Sequence, residues 1–119
     1  MYRKMFKGRA VKRTVPKCKG VCKTYNDIQL KYADSLADNN DIVEFRCNVL
    51  IEGLTDGDYT SDIVATKKDG EILVRECLYR KYLIKPKTCR LLEQSRQYWL
   101  RRGVTDWGVV IEKEVDACE

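Results

Sequence analysis

From residue 26 onward the chain alternates between two hydrophobic periods. Ile28, Tyr32 and Leu36 recur at i, i+4 and i+8, the spacing of one helical face. Asn26 or Asp27 stands where a cap belongs and Asn39-Asn40-Asp41 stops the pattern, so a helix is expected to run to about Ala37. Period two follows, with Phe45, Cys47, Val49 and Ile51 on one side of a strand from Glu44 to Ile51. Gly53 to Asp58 is turn-rich. Tyr59 to Lys67 and Glu71 to Leu78 read as two more strands, joined by Lys68-Asp69-Gly70, where Asp-Gly supplies the positive φ of a tight hairpin. Pro86 opens a second helix in which Leu91, Leu92, Ser95, Tyr98, Trp99 and Arg102 keep helical spacing, and Gly103 suits its C′ position. Trp107 to Glu112 closes as a fourth strand. The order α-β-β-β-α-β predicts an α/β or α+β domain with a mixed sheet, its last strand parallel to the third.

Length and composition narrow the class. A chain of 119 residues, 44% hydrophobic and 34% charged, holds one core. Its apolar runs are far shorter than the roughly 20 residues of a membrane span. No apolar block follows the N-terminal charges, so neither a secretory signal nor a membrane anchor is expected, and the expected setting is the reducing cytoplasm. The net charge of +5 hides an asymmetry: residues 1–24 carry nine Lys or Arg and no acid, and the rest sums to −4. That divides the chain into a basic N-terminal arm (1–24) and a domain (25–119), and a basic arm suits a polyanion.

Six cysteines at 18, 22, 47, 77, 89 and 118 are expected as free thiols. Cys18 and Cys22 have metal-ligand spacing, but there is no His and no second close pair. A tetrahedral zinc site needs Cys47, Cys77 or Cys89 to converge on them. Cys47 and Cys77 otherwise read as small core residues.

The acids with the most chemical promise are Asp62 and Glu76, on strands joined by the tight hairpin. Two-metal phosphodiester hydrolysis needs carboxylates on rigid neighbouring elements, and Mg²⁺ takes hard oxygen ligands while keeping several waters. Each acid alone also reads as an ordinary strand-end or solvent-facing residue.

Several segments together resemble the N-terminal catalytic domain of the TnsA family, a transposon end-cleaving endonuclease with a restriction-endonuclease-like core. They are Tyr59-Thr60-Ser61-Asp62, Lys68-Asp69-Gly70, Glu76, Lys85-Pro86-Lys87 leading to Tyr98-Trp99, and Arg102-Gly103-Val104-Thr105-Asp106-Trp107. The resemblance covers about Lys23 to Glu114. It implies that Asp62 and Glu76 are catalytic and bind Mg²⁺ together with the backbone carbonyl of Cys77. The family places a glutamate on the first helix, where this chain has Gln29, and a lysine two residues after the second acid, where it has Leu78. Leucine cannot orient a water or stabilise transition-state charge; Arg80 or Lys81 is the candidate replacement. The family usually continues into a helical domain that contacts a transposase partner; the resemblance covers only the nuclease-like half.

For DNA the candidate contacts are Arg3, Lys4, Lys7, Arg9, Lys12 and Arg13 in the arm and Arg80, Lys81, Lys85 and Lys87 before the second helix. The leading expectation is a DNA-binding TnsA-like protein of a mobile element or phage with a partly lost Mg²⁺ site. The alternative is a non-catalytic protein of similar origin that binds and inhibits a nucleic-acid-binding partner.

Overall fold

The computed structural model describes residues 10–54, 57 and 59–112. In chain order the elements are β1 (Val11–Arg13), β2 (Cys22–Thr24), α1 (Asp27–Ala37), β3 (Ile42–Ile51), β4 (Tyr59–Lys67), β5 (Ile72–Cys77), α2 (Pro86–Arg101) and β6 (Asp106–Val110), with a 3₁₀ turn over Arg80–Ile84. Helix α1 starts where the sequence has a cap: the Asn26 side chain accepts the Gln29 amide at 2.8 Å, satisfying one of the donors a helix leaves unpaired at its start. Its apolar stripe buries Ile28, Ala33 and Leu36. Gly70 adopts φ 89° in the β4–β5 turn, the conformation for which glycine is favoured there.

Strands β3 to β6 form one sheet in the order β3-β4-β5-β6. The first two pairings are antiparallel and β5–β6 is parallel, as expected for a strand reached through a helix. The described residues are thus α/β, with a mixed four-stranded sheet and two α-helices. Phe45, Ile63, Ala65 and Cys77 build one core with Ile28, Ala33 and Leu36, while Ile51, Tyr59 and Leu91 build a second. The alternating stripe expected along β3 is divided between them. Asn48, between Phe45 and Ile51 within this strand, has φ 57°, and asparagine is among the few side chains that enter this region readily.

The boundary drawn at residue 24 does not coincide with an edge of the fold. Strands β1 and β2 pair antiparallel, Val11 opposite Thr24 and Arg13 opposite Cys22. Val15, Cys22 and Thr24 are buried, and the segment docks on β3 through Lys19 N to Phe45 O (2.8 Å) and Phe45 N to Lys17 O (2.9 Å). Residues 11–24 of the expected arm are therefore part of the folded unit; charge masked a short strand pair of three residues each.

No helix among the described residues is long and apolar enough to cross a membrane.

Candidate functional site

Asp62 and Glu76 meet just past the last ladder pair between their strands, Ile63 opposite Arg75. Beyond that pair, carboxylates take over from carbonyls. The Asp62 amide donates to Glu76 Oε1 at 3.2 Å, and the Cys77 amide donates to Asp62 Oδ2 at 2.7 Å. Buried backbone donors need partners, and here each acid supplies one to the opposite strand. Glu76 also accepts from the Tyr59 hydroxyl at 3.4 Å and, through Oε2, from Ser95 Oγ at 2.8 Å. Glu76 is fully buried and Asp62 is 4% exposed.

A second ring of polar groups holds this pair. Gln29, also buried, donates from Nε2 to the Asp62 carbonyl (3.0 Å) and to Asn48 Oδ1 (3.1 Å), while its Oε1 accepts the Tyr25 amide at 2.9 Å. Asn48 Nδ2 in turn donates to the Lys23 carbonyl at 2.6 Å. On the α2 side, Ser95 gives its one proton to Glu76, so it can only accept from Trp107 Nε1 (3.2 Å), and Ser61 must be the donor across the 3.4 Å Ser61–Ser95 contact. Trp99 Nε1 donates to Ser61 Oγ at 2.9 Å.

The three positions that the family resemblance assigns to metal are thus brought together, along with Gln29. As arranged, they suit Mg²⁺ poorly. The Cys77 carbonyl accepts from Asn26 Nδ2 at 3.1 Å, the named carboxylate oxygens accept from protein donors, and burial leaves little room for the waters that Mg²⁺ retains. Leu78, at the lysine position, is buried, and its amide donates to the Val110 carbonyl at 3.1 Å. Arg80 and Lys81 lie in the exposed 3₁₀ turn; the Arg80 amide donates to Glu112 at 2.8 Å, and the Lys81 ammonium sits 5.4 Å from the Tyr82 ring centroid. The backbone donation from Arg80 holds the Glu112 carboxyl below its ordinary range. A surface cleft of about 570 Å³ between α1 and the end of β6 is lined by Ile28, Tyr32, Tyr79 and Val110 among others, but not by Asp62 or Glu76.

Basic side chains gather elsewhere. Arg80, Lys81, Lys85, Lys87 and Arg90 are exposed around the start of α2. Lys81 and Lys85 flank Tyr82, the latter 5.2 Å from its ring centroid. That helix has no side-chain cap and no acid in its first turn, so the positive end of its dipole is added to the cations. In the N-terminal segment Lys12 is exposed, whereas Arg13 pairs with Asp34 at 3.0 Å and is built into the fold. Arg3, Lys4, Lys7 and Arg9 lie outside the described residues.

Three of the cysteines also converge. Cys18, Cys22 and Cys47 place their sulfurs within 4.8 Å of one another, and Cys22 Sγ lies 3.6 Å from Cys47 Sγ. Burial first, then the neighbouring Cys22, pushes the Cys47 thiol far above its ordinary range, and burial raises Cys18 as well. Cys89 lies apart, its thiol donating to the Leu83 carbonyl at 3.0 Å.

Sequence spacing indicated the acid pair, but it gave no sign that Ser95, Asn26 and Asn48 would supply or relay its hydrogen bonds. No protein-family model and no curated protein sequence matches this chain.

Proposed function

We propose that this chain is a nucleic-acid-binding protein of restriction-endonuclease-like fold, similar to the TnsA catalytic domain and encoded by a mobile element or phage, in which the Mg²⁺-dependent phosphodiesterase site is partly lost. The observation that carries the reading is the meeting of Asp62 and Glu76 on adjacent strands with Gln29 reaching Asp62 from α1. Helix, strand and strand each contribute at the positions the resemblance assigns to the metal site. The α1-β3-β4-β5-α2-β6 order and the parallel β5–β6 pair are compatible with such a core.

Two features favour binding over cutting. The acids are engaged by Cys77 N, Asp62 N and Ser95 Oγ, so a Mg²⁺ ion has to displace protein donors, and its affinity is weak. Leu78 stands where a water-orienting lysine is needed. Binding is assigned to the cations around the start of α2, with Lys12 and the basic residues ahead of it. Phosphate neutralisation supplies affinity without sequence readout.

The test is incubation of supercoiled plasmid with the purified protein in Mg²⁺ or Mn²⁺. The expected result is bound but uncut plasmid. Nicking that disappears in Asp62→Ala, with the variant still folded, overturns the loss of catalysis.

A further inference from the structure

We propose that Cys18, Cys22 and Cys47 form a binding site for one thiophilic d¹⁰ metal ion, Zn²⁺ in the cell, which clamps the β1–β2 segment to the main sheet. The ion has no part in the acid pair, and the inference stands whether or not the chain binds nucleic acid.

The geometry is close to what such an ion needs. Zinc–thiolate bonds of about 2.3 Å in a tetrahedron put neighbouring sulfurs about 3.8 Å apart. The Cys22–Cys47 separation is 3.6 Å, and all three sulfurs lie within 4.8 Å, so side-chain rotation rather than backbone movement completes the set. The backbone of the Cys18–Cys22 segment is shaped to present both thiols: Lys17 and Gly20 have φ of 72° and 77°, and Cys18 forms a parallel bridge with Phe45, two residues before Cys47. Ligands from 18, 22 and 47 would add a cross-link between two elements already joined by the Lys19–Phe45 and Phe45–Lys17 backbone hydrogen bonds and by packing of Val15 and Cys22 in one core with Phe45.

The chemistry selects the ion. Three sulfurs without an oxygen cluster favour a soft or borderline cation over Mg²⁺ or Ca²⁺. Ligation converts thiols to thiolates and releases their protons. Three thiolates on a dication leave one negative charge, and Lys17, Lys19 and Lys23 lie in the same short segment. Cys22 is fully buried, whereas Cys18 and Cys47 are partly exposed, so solvent can reach the site from their side and supply a water or a small exogenous ligand as the fourth ligand. The rival use of the same atoms is a Cys22–Cys47 disulfide formed under oxidising conditions.

The experiment is a titration of the full chain, kept reduced, with Cd²⁺, read by thiolate-to-metal charge-transfer absorption, with Zn²⁺ competition and elemental analysis of protein as purified. The expected result is a break at one ion per chain, reversal by Zn²⁺, and a melting temperature that rises with Zn²⁺ concentration. Cys18→Ser, at the most exposed of the three positions, is expected to stay folded and to lose both the stoichiometric break and the thermal shift. Cys89→Ser is expected to retain them. Absorption no greater in wild type than in Cys18→Ser overturns the proposal, as does a Cys22–Cys47 disulfide in protein purified and kept under reducing conditions.

Discussion

At the scale of single residues, the molecule spends its most buried polar groups on one network. Glu76 has no access to solvent, and Ser95 Oγ is one of its donors. Leaving a buried acceptor without one of its donors costs about 1–3 kcal/mol, so Ser95→Ala is expected to lower unfolding free energy by that amount in urea denaturation. The same change frees Trp107 Nε1 of its acceptor. A change within experimental error would mean that Ser95 does not support the carboxylate. Asn48→Ala combines two losses, the contacts to Gln29 and Lys23 and a conformation alanine disfavours. Each is about 1 kcal/mol or more, and the variant is expected to melt well below wild type while Asn48→Gly recovers the backbone part. Equal melting of the two variants would remove backbone strain from the explanation. The acid pair was legible because the β4–β5 hairpin is short and its turn explicit. Its partners were not, since Asn26, Asn48 and Ser95 come from three other elements and polar residues carry no periodic signal of whom they will meet.

Elements were legible in proportion to their periodicity. Helix α1 and strand β4 span the stretches their patterns indicate, and α2 ends within a residue of the expected position. Strands β1 and β2 were hidden, because three-residue strands offer no alternation to read and nine basic residues made the segment look solvated. At the far edge, β4, β5 and β6 are joined by ions: Asp106 pairs with Lys67 and, at 2.7 Å, with Arg75. The Lys67 ammonium and then the Arg75 guanidinium hold the Asp106 carboxyl below its ordinary range, and Lys67 is raised in return. A carboxyl whose folded pKa is lowered stabilises the fold above its unfolded pKa and ceases to as pH falls through the lowered value. Asp106→Asn is therefore expected to melt below wild type at neutral pH, with the gap closing as pH drops below about 4, the ordinary Asp value. A gap that persists in acid would assign the loss to packing instead.

For the whole molecule, the acid pair and the basic cluster are separated between interior and exterior. The acid pair lies inside, tied to both helices, while Lys81, Lys85, Lys87 and Arg90 stand exposed at the start of α2. The family resemblance drew attention to the interior acids, yet under the proposed function affinity for a polyanion is assigned to the exterior cations. The most direct measurement is the equilibrium affinity for a short duplex DNA, by fluorescence anisotropy, across about 50–200 mM salt. Each phosphate neutralised contributes a log–log slope of about −0.9, so six or more contacts give a slope of about −5 or steeper. Charge reversal at Lys81 and Lys85 together is expected to weaken binding and flatten the slope, and Asp62→Ala to leave it unchanged if the variant folds. Binding that is absent at low salt, or insensitive to salt, would contradict the account.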